Sequence, residues 1–202
     1  MKILNDHQMF SLQRYGGISR YFCEIIKHIA PKHEFNLSLL FSDNYYLQEH
    51  SKVFDKTNIF PDRNFWGKYF LSRRSYELNQ LYSKIELSTG KYDIFHPTFY
   101  NDYFLKLIKK PYIITVHDLI AFKFQLNSTY KHEDIKCQME NVIKNANRVI
   151  AISENTKKDV IDLMNINVDK IDVIHHGYNK VFQGQKTTHM GNYSLFVGDR
   201  DS

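Results

Sequence analysis

The first part of the chain alternates apolar and polar residues in two stretches, with a helical pattern between them. Residues 2–7 read as a short strand, and residues 35–41 place apolar side chains at every second position for most of their length. Between them, apolar residues recur at steps of three and four over residues 16–30, which is typical of a helix with one buried stripe. Residues 45–61 show neither pattern, and we expect them to be irregular.

Further along, helical and strand patterns alternate. The pattern predicts helices at residues 65–87, 129–146 and 153–164, and strands at residues 92–95, 112–116, 148–152 and 171–174. Strands that alternate with helices favour right-handed crossovers and a parallel sheet covered on both faces. The predicted fold class is therefore α/β, with a Rossmann-like, doubly wound and mostly parallel sheet.

The C-terminal end breaks this alternation. Residues 1–180 are predicted to form one domain, and residues 181–192 are polar and glycine-containing, as in a linker. Residues 193–202 begin with an apolar run, YSLFV, that reads as a new strand. Because one strand cannot form a domain, we expect residues 193–202 to open a second domain.

Composition narrows the range of partners. The 202 residues carry a net charge of +5 and are 43% hydrophobic, so the chain can bury a core and favours anionic partners such as nucleotides, phosphates or an acidic membrane face. Its basic residues are spread without the pattern of a nucleic-acid-binding module, and we expect no nucleic acid. Cys23 and Cys137 lie in helical patterns without metal-binding spacing, so we predict a reduced, cytoplasmic protein with both thiols in the core. The sequence shows no signal peptide and no membrane-spanning run.

A glycine pair, Gly16 and Gly17, opens the first long helix. At the carboxyl edge of a parallel sheet, a helix N-terminus offers free N–H groups and a positive dipole end to a phosphate. Residues without a Cβ also let a diphosphate or sugar come close to the backbone. A turn that needs positive φ would explain the pair equally well, and the sequence leaves both interpretations open.

Polar residues follow several predicted strands. His117 comes after residues 112–116 and can donate a hydrogen bond to a sugar or a developing charge, while Asp118 can orient that imidazole or hold the loop through a backbone N–H. A purely structural His–Asp pair is the alternative. His96 and Thr98 follow residues 92–95, and they either line a substrate-binding site or cap a loop.

Two other polar sites have simpler explanations. Ser153 fits the N-cap of the helix at residues 153–164, with a ligand-facing role as the lesser alternative. His175 and His176 are adjacent, but neighbours on an extended chain point in opposite directions, and no third ligand has suitable spacing. We therefore predict no metal site.

Aromatic and basic residues interleave at residues 66–74, WGKYFLSRR. This composition fits a helix that contacts an anionic membrane or lines an acceptor groove. It also fits an ordinary surface helix with a basic face in solvent.

Taken in order, six segments resemble the N-terminal half of a family-4 type glycosyltransferase of the two-domain GT-B fold. The resemblance runs from residue 2 to about residue 200. The segments are GGISRY, DIFHPT, TVHDL, VIAISENTKKDVI, VIHHGYN and LFVGDR.

The resemblance implies roles for individual residues. Gly16 and Gly17 would lie over the phosphates and sugar of the donor, and His117 would contact the donor sugar as the catalytic residue. The loops around Tyr100 and Phe122, together with residues 45–74, would serve the acceptor. Arg14 is a candidate phosphate contact from its position before the glycines, and Asp118, His96, Thr98 and Ser153 are candidate acceptor-side or supporting residues.

The resemblance also implies a reaction. Such enzymes use a nucleotide-sugar donor, retain the anomeric configuration and generally need no metal or other cofactor. Their C-terminal domain binds most of the donor, so residues 193–202 would be its first strand and residues 1–202 would be inactive alone. We expect a glycan or lipid-linked acceptor, a role in polysaccharide biosynthesis and peripheral contact with the inner face of the membrane. The alternatives are a GT-B-fold nucleotide-sugar epimerase, with Asp93 or Asp118 as its base, and a non-catalytic module that binds a phosphosugar or a membrane.

Overall fold

The structure, a computed structural model, describes residues 1–49, 58–59, 68–123 and 130–177. Within these residues the strands are β1 Lys2–Asp6, β2 Glu34–Ser38, β3 Phe41–Ser42, β4 Asn58–Ile59, β5 Ile94–His96, β6 Ile113–Val116, β7 Arg148–Ala151 and β8 Ile171–Val173. The helices are α1 Gln8–Leu12, α2 Gly17–Ile29, α3 Tyr45–Glu49, α4 Lys68–Thr89, α5 Ile120–Lys123, α6 Tyr130–Asn145 and α7 Glu154–Met164, with a 3₁₀ turn at Val168–Lys170.

All of these strands pair in parallel. One sheet has the order β2-β1-β5 and a second has the order β6-β7-β8. A parallel bridge between Phe95 and Tyr112 joins them, and the Phe95 N–H donates to the Pro111 carbonyl at 3.0 Å. The strands β3 and β4 form a separate parallel pair. The α/β, Rossmann-like prediction is therefore confirmed.

The strand order contains a reversal at β1. The chain leaves β1 for β2 on one side and later returns to β5 on the other side. In open parallel sheets, ligands bind outside the carboxyl ends of the strands at such a switch point. The loops after β1 and β5 are thus the first place to look for a site.

Two hydrophobic clusters support the sheet. Around β1 and β5–β8, the larger cluster includes Leu4, Phe95 and Val149 and receives Leu87 from α4. The smaller cluster includes Phe22 and Ile26 from α2 and Leu37 from β2. Helices α2 and α4 therefore contribute to different clusters, as expected for crossovers that cover a sheet.

The strand predicted at residues 35–41 is broken. It ends as β2 at Ser38, and the backbone N–H groups of Leu40 and Phe41 both donate to Oδ1 of Asn79, at 2.9 and 3.0 Å. Asn79 is fully buried on α4 and also donates to the Phe41 carbonyl at 2.7 Å. Because a side-chain amide satisfies this backbone, the chain leaves the sheet there.

Short helices occupy places where the sequence predicted none. Within residues 45–61, expected to be irregular, α3 begins after Asn44, whose Oδ1 accepts the N–H groups of Tyr46 and Leu47 at 3.1 and 3.4 Å. Leu47 is fully buried in the smaller cluster. Residues 58–59 of the same stretch form β4. A cap and one buried side chain are enough to fix a single helical turn or two.

The longer helices match their predictions to within a few residues. Helix α4 ends at Gly90, which has a φ of +64°, the left-handed conformation favoured by glycine. Helix α7 ends at Asn165 in the same conformation, with a φ of 53°. Cys23 is buried as predicted, but Cys137 is exposed on α6, so the prediction of a core thiol there was wrong.

Several predictions lie outside the described residues. They are the linker at residues 181–192, the strand at residues 193–202 and residues 65–67 of the predicted helix at 65–87. In the parts of the chain that the structure describes, no helix is both long and apolar enough to cross a membrane.

Candidate active site

Asp6 ties together the loops at the switch point. It is fully buried at the end of β1, and its Oδ1 accepts the backbone N–H and the hydroxyl of Thr98, both at 2.8 Å. Its Oδ2 accepts from Gln8 Nε2 at 2.7 Å and from the Tyr103 hydroxyl at 3.0 Å. The carboxylate therefore fixes the loop after β1 against the loop after β5, and Thr98 serves this junction.

The N-terminus of α2 is open at its first residue. A Cβ built on Gly17 would meet nothing within 4 Å among the described residues, which leaves the backbone open on that side. Gly16 is extended, with a φ of 177°, and Gly17 is helical, so neither residue needs positive φ. The interpretation of the pair as a positive-φ turn is thus wrong.

A local contact explains why residue 16 is a glycine. A Cβ there would lie 2.0 Å from Oε1 of Gln13. That oxygen accepts the Ser19 N–H at 3.4 Å, inside the first turn of α2. Gly16 therefore makes room for a side chain that satisfies the helix end, whereas Gly17 leaves its side open.

Tyr21 joins the start of α2 to His117. It lies one helical turn after Gly17, and its ring meets the His117 ring edge-on, with centroids 5.0 Å apart and planes at 90°. The Tyr21 hydroxyl lies 3.4 Å from Oγ1 of Thr115 on β6. His176, which follows β8, packs on the same two rings at 4.8 Å from Tyr21 and 5.5 Å from His117.

A buried polar network lies behind His117. His96 is 5% exposed, and its Nε2 lies 2.9 Å from Oγ1 of Thr115. The Tyr100 hydroxyl donates to the Thr115 carbonyl at 3.3 Å and accepts the His117 N–H at 3.4 Å. Both side chains support the strand end that carries His117. Neither His96 nor Tyr100, which is 6% exposed, presents a surface to an acceptor.

The arrangement brings an open helix N-terminus and an imidazole together at the carboxyl edge of a parallel sheet. The sequence model of Glycosyltransferase Family 4 matches residues 15–181, which include all of α2, the end of β6 and the histidines after β8. The chain belongs to Glycosyltransferase Family 4. No curated protein matches it in a sequence search.

Burial sets the charge of the histidines in this family-4 chain. It lowers the pKa of His117 to about 4, with a further lowering by His176 and an opposing effect of Asp118. Burial also lowers the pKa of His96 to about 3, helped by His117. Near neutral pH both imidazoles are uncharged, with one nitrogen as a donor and the other as an acceptor.

The Nε2 atom of His117 is buried and has no hydrogen-bond partner within the described part of the protein. Buried polar atoms almost always have partners, so an orphan of this kind at the carboxyl edge of the sheet is a candidate position for a ligand bond. This is the feature that distinguishes His117 from His96, whose Nε2 is satisfied by Thr115.

The remaining predicted residues of the family-4 site have separate positions. Asp118 is exposed and accepts the Ile120 N–H at 3.1 Å, which begins α5, so it holds the loop. Phe122 on α5 is half-buried and packs against the larger cluster. Ser153 caps α7 by accepting the Thr156 N–H at 3.1 Å, as predicted. Arg14 is exposed before the glycines, with its guanidinium 5.4 Å from the ring centre of Tyr15.

Sequence reasoning missed several residues that shape the site. Tyr21 lies within the helical pattern of residues 16–30, and Asp6 and Thr115 lie within the predicted strands at residues 2–7 and 112–116, so none of them stood out. His7, which follows Asp6, is fully buried, and its Nε2 has no hydrogen-bond partner in the part of the chain that the structure describes. A polar residue at the end of a predicted parallel strand was the signal available for Asp6 and His7.

No group of three or more histidine, cysteine, aspartate or glutamate side chains is placed to hold a metal ion among the residues that the structure describes. The adjacent His175 and His176 diverge. Nδ1 of His175 lies 3.2 Å from the Ile152 carbonyl, whereas the His176 ring faces Tyr21 and His117.

Proposed function

We propose that this chain forms the acceptor-side half of the active site of a retaining glycosyltransferase. The enzyme would move a sugar from a nucleotide-sugar donor to a glycan or lipid-linked acceptor, without a metal or other cofactor. The observation that carries the proposal is the pairing of an open α2 N-terminus at Gly17 with the unpartnered Nε2 of His117, joined through Tyr21.

Each part has a chemical task in such a transfer. The N–H groups and positive dipole end of α2 suit the departing diphosphate, and Gly17 leaves room for it to approach. A neutral His117 can form a hydrogen bond through Nε2 to a sugar hydroxyl beside the anomeric carbon. Fixed dipoles of this kind stabilise charge that develops in the transition state without having to reorganise.

The reaction also needs contacts to the nucleotide part of the donor. We propose that a nucleotide-binding domain supplies the contacts to the base, the ribose and most of the diphosphate. Residues 1–202 alone would then bind donor weakly and transfer no sugar. This division of labour rests on the resemblance of residues 193–202 to the first strand of that domain.

The epimerase alternative has weak support from the positions of its two carboxylates. Asp93 accepts the Lys2 N–H at 2.7 Å and precedes β5, at the opposite edge of the sheet from His117. Asp118 caps α5. Asp93 lies far from the proposed sugar position and Asp118 is engaged by a backbone N–H, so transfer is the better proposal.

Peripheral contact with an anionic membrane, on the cytoplasmic side, is the second part of the proposal. Helix α4 exposes Leu78, Leu81 and Ile85, with exposed fractions of 39%, 56% and 51%. Their spacing of three and four residues puts them on one helix face. The start of the same helix contains the basic residues of segment 66–74, which suit anionic headgroups.

The transfer proposal is tested by measuring nucleoside diphosphate release from a panel of nucleotide sugars. The protein as encoded by its gene is compared with residues 1–202 alone, and the encoded protein is also tested as Gly17→Val. We expect release by the encoded protein only, and a loss of roughly 100-fold or more in kcat/KM for Gly17→Val, because a displaced phosphate loses several positioned N–H contacts.

Ser88→Val is the matched control, since it adds the same side chain to an exposed helix residue at the far edge of the sheet. Circular dichroism and melting curves check that both variants fold. Activity of Gly17→Val equal to that of the control would remove the loop from the site. Full activity of residues 1–202 alone would overturn the proposed two-domain division.

A further inference from the structure

His176 lies on the segment that leaves the domain after β8. Its ring is exposed, yet it packs on Tyr21 with centroids 4.8 Å apart and planes at 34°, and on His117 at 5.5 Å and 57°. The two rings it touches are those that join α2 to the end of β6. An exposed residue outside any strand or helix is therefore part of the surroundings of His117.

The other neighbour of His117 is fixed in place. Tyr21 lies within α2, and its hydroxyl lies 3.4 Å from Oγ1 of Thr115, which also contacts Nε2 of His96 at 2.9 Å. The position of the Tyr21 ring is thus fixed by α2 and by its contact with β6. His176 lies outside any strand or helix, on the segment that follows β8, so its position is set by that segment and not by the core.

We propose that His176 is a positioning residue for His117, which holds the imidazole against Tyr21 and shields Nε2 until a ligand bonds there. The shielding explains how Nε2 is buried in a half-buried residue without a partner among the described residues. The proposal rests on the proposed function only in taking His117 as the residue that meets the donor sugar.

The charged and titratable groups around His117 come from several elements. Asp118 follows it on the chain, His96 lies behind it on β5, and Tyr21 and His176 flank its ring. Of these, burial and His176 lower the pKa of His117, and Asp118 raises it. Removal of the His176 ring takes away its electrostatic effect on His117 and exposes part of the His117 ring. Both changes raise the pKa of His117.

His175 provides a matched control one residue away. Its Nδ1 contacts the Ile152 carbonyl at 3.2 Å, whereas the His176 ring contacts Tyr21 and His117. Changes at residues 175 and 176 therefore disturb the same stretch of backbone but remove different contacts.

The deciding experiment is a pH titration of the imidazole resonances by NMR, without any nucleotide sugar. We expect His176→Ala to raise the pKa of His117 by about one unit, a tenfold change in its protonation equilibrium. His176→Phe should keep the pKa closer to the wild-type value, since the ring and its burial remain. His175→Ala should leave the pKa of His117 unchanged.

A second measurement reports access to the imidazole. Diethyl pyrocarbonate modifies accessible neutral imidazoles, and at pH 7.5 protonation no longer limits His117, because its pKa is about 4. Mass spectrometry of the modified peptides should show faster reaction of His117 in His176→Ala, and near wild-type protection in His176→Phe and His175→Ala.

Wild-type pKa and wild-type reactivity of His117 in His176→Ala would overturn the proposal. So would a His176→Phe variant that behaves like His176→Ala, because the ring would then not be what shields His117. Since neither measurement involves sugar transfer, a protein that shields His117 but transfers no sugar would defeat the proposed function and leave this inference standing.

Discussion

At the scale of single residues, Asp6 carries more of the site than its position in a strand suggests. Its carboxylate accepts from Gln8, at the start of α1 after β1, and from Thr98 and Tyr103, which follow β5. A buried carboxylate is tolerated only when such donors surround it, and the donors in turn depend on it. We therefore regard Asp6 as the residue that holds the two loops in register.

This role predicts the effect of removing the carboxylate. Asp6→Ala should lower the free energy of unfolding by about 3 kcal/mol, because several buried donors lose their acceptor at once. Urea unfolding followed by circular dichroism measures this loss. Asp118→Ala is the control: Asp118 is exposed and accepts one backbone N–H, so its loss should cost about 1 kcal/mol or less. Equal losses in the two variants would contradict the role of Asp6.

The sequence pattern singled out His117, His96 and Asp118, but it did not show that Tyr21 and His176 flank the His117 ring. A histidine directly after a buried strand is recognisable, since the carboxyl ends of parallel strands face the ligand side. Tyr21 gave no such signal, because helical periodicity shows which face is buried and not which loop that face meets. His176 contacts His117 across 59 positions of sequence, and only the folded chain brings them together.

At the scale of elements, the long segments were predictable and the short ones were not. Helices α2, α4, α6 and α7 have enough residues to show a period, whereas α1, α3 and α5 have four or five. Such short helices are fixed by local contacts. Asn44 begins α3 and Asp118 begins α5, and neither contact can be read from periodicity.

Helix α4 presents an exposed apolar face for which a function can be tested. If Leu78, Leu81 and Ile85 meet a membrane, the double variant Leu81→Gln/Ile85→Gln should float less with vesicles that contain anionic lipid. Arg73→Gln/Arg74→Gln should weaken flotation as well, and high salt should reduce that difference, because screening weakens attraction between the basic residues and the headgroups. Vesicle flotation with and without salt measures both effects.

Leu163→Gln provides the matched control for this helix face. Leu163 lies on α7 and is 43% exposed, so it resembles the α4 residues in type and exposure but lies on another helix. Flotation that responds equally to Leu163→Gln and to the α4 variants would indicate general hydrophobic adhesion. Flotation that ignores both salt and every substitution would remove the membrane proposal.

At the scale of the whole molecule, alternation of strands and helices was enough to predict a parallel α/β sheet, but not the order of its strands. The order β2-β1-β5 depends on which way the chain crosses the sheet after each helix. The connection between β5 and β6 depends on an isolated bridge between Phe95 and Tyr112. These features follow from packing between distant segments, and so does the burial of His7, His96 and His117 around the switch point.

The buried histidines make the stability of the whole domain depend on pH. Burial is the main cause that lowers the pKa of His7 to about 4, of His96 to about 3 and of His117 to about 4, below the ordinary value of 6.5. As the pH falls below about 6.5, the unfolded chain takes up protons at these positions while the folded chain does not. The free energy of unfolding should therefore fall with decreasing pH, and above about pH 7.5 these groups should add no pH dependence.

Between pH 6.5 and pH 5, each such histidine should contribute a slope approaching about 1.4 kcal/mol per pH unit. This window lies above the ordinary range of carboxyl groups, so the histidines dominate it. Urea unfolding at closely spaced pH values measures the slope. His96→Gln should reduce the slope by about 1.4 kcal/mol per pH unit, which is the contribution of one proton. A free energy of unfolding that stayed constant from pH 7 to pH 5 would mean that the folded protein protonates these histidines as readily as the unfolded chain, and that the interior around the switch point is open to water.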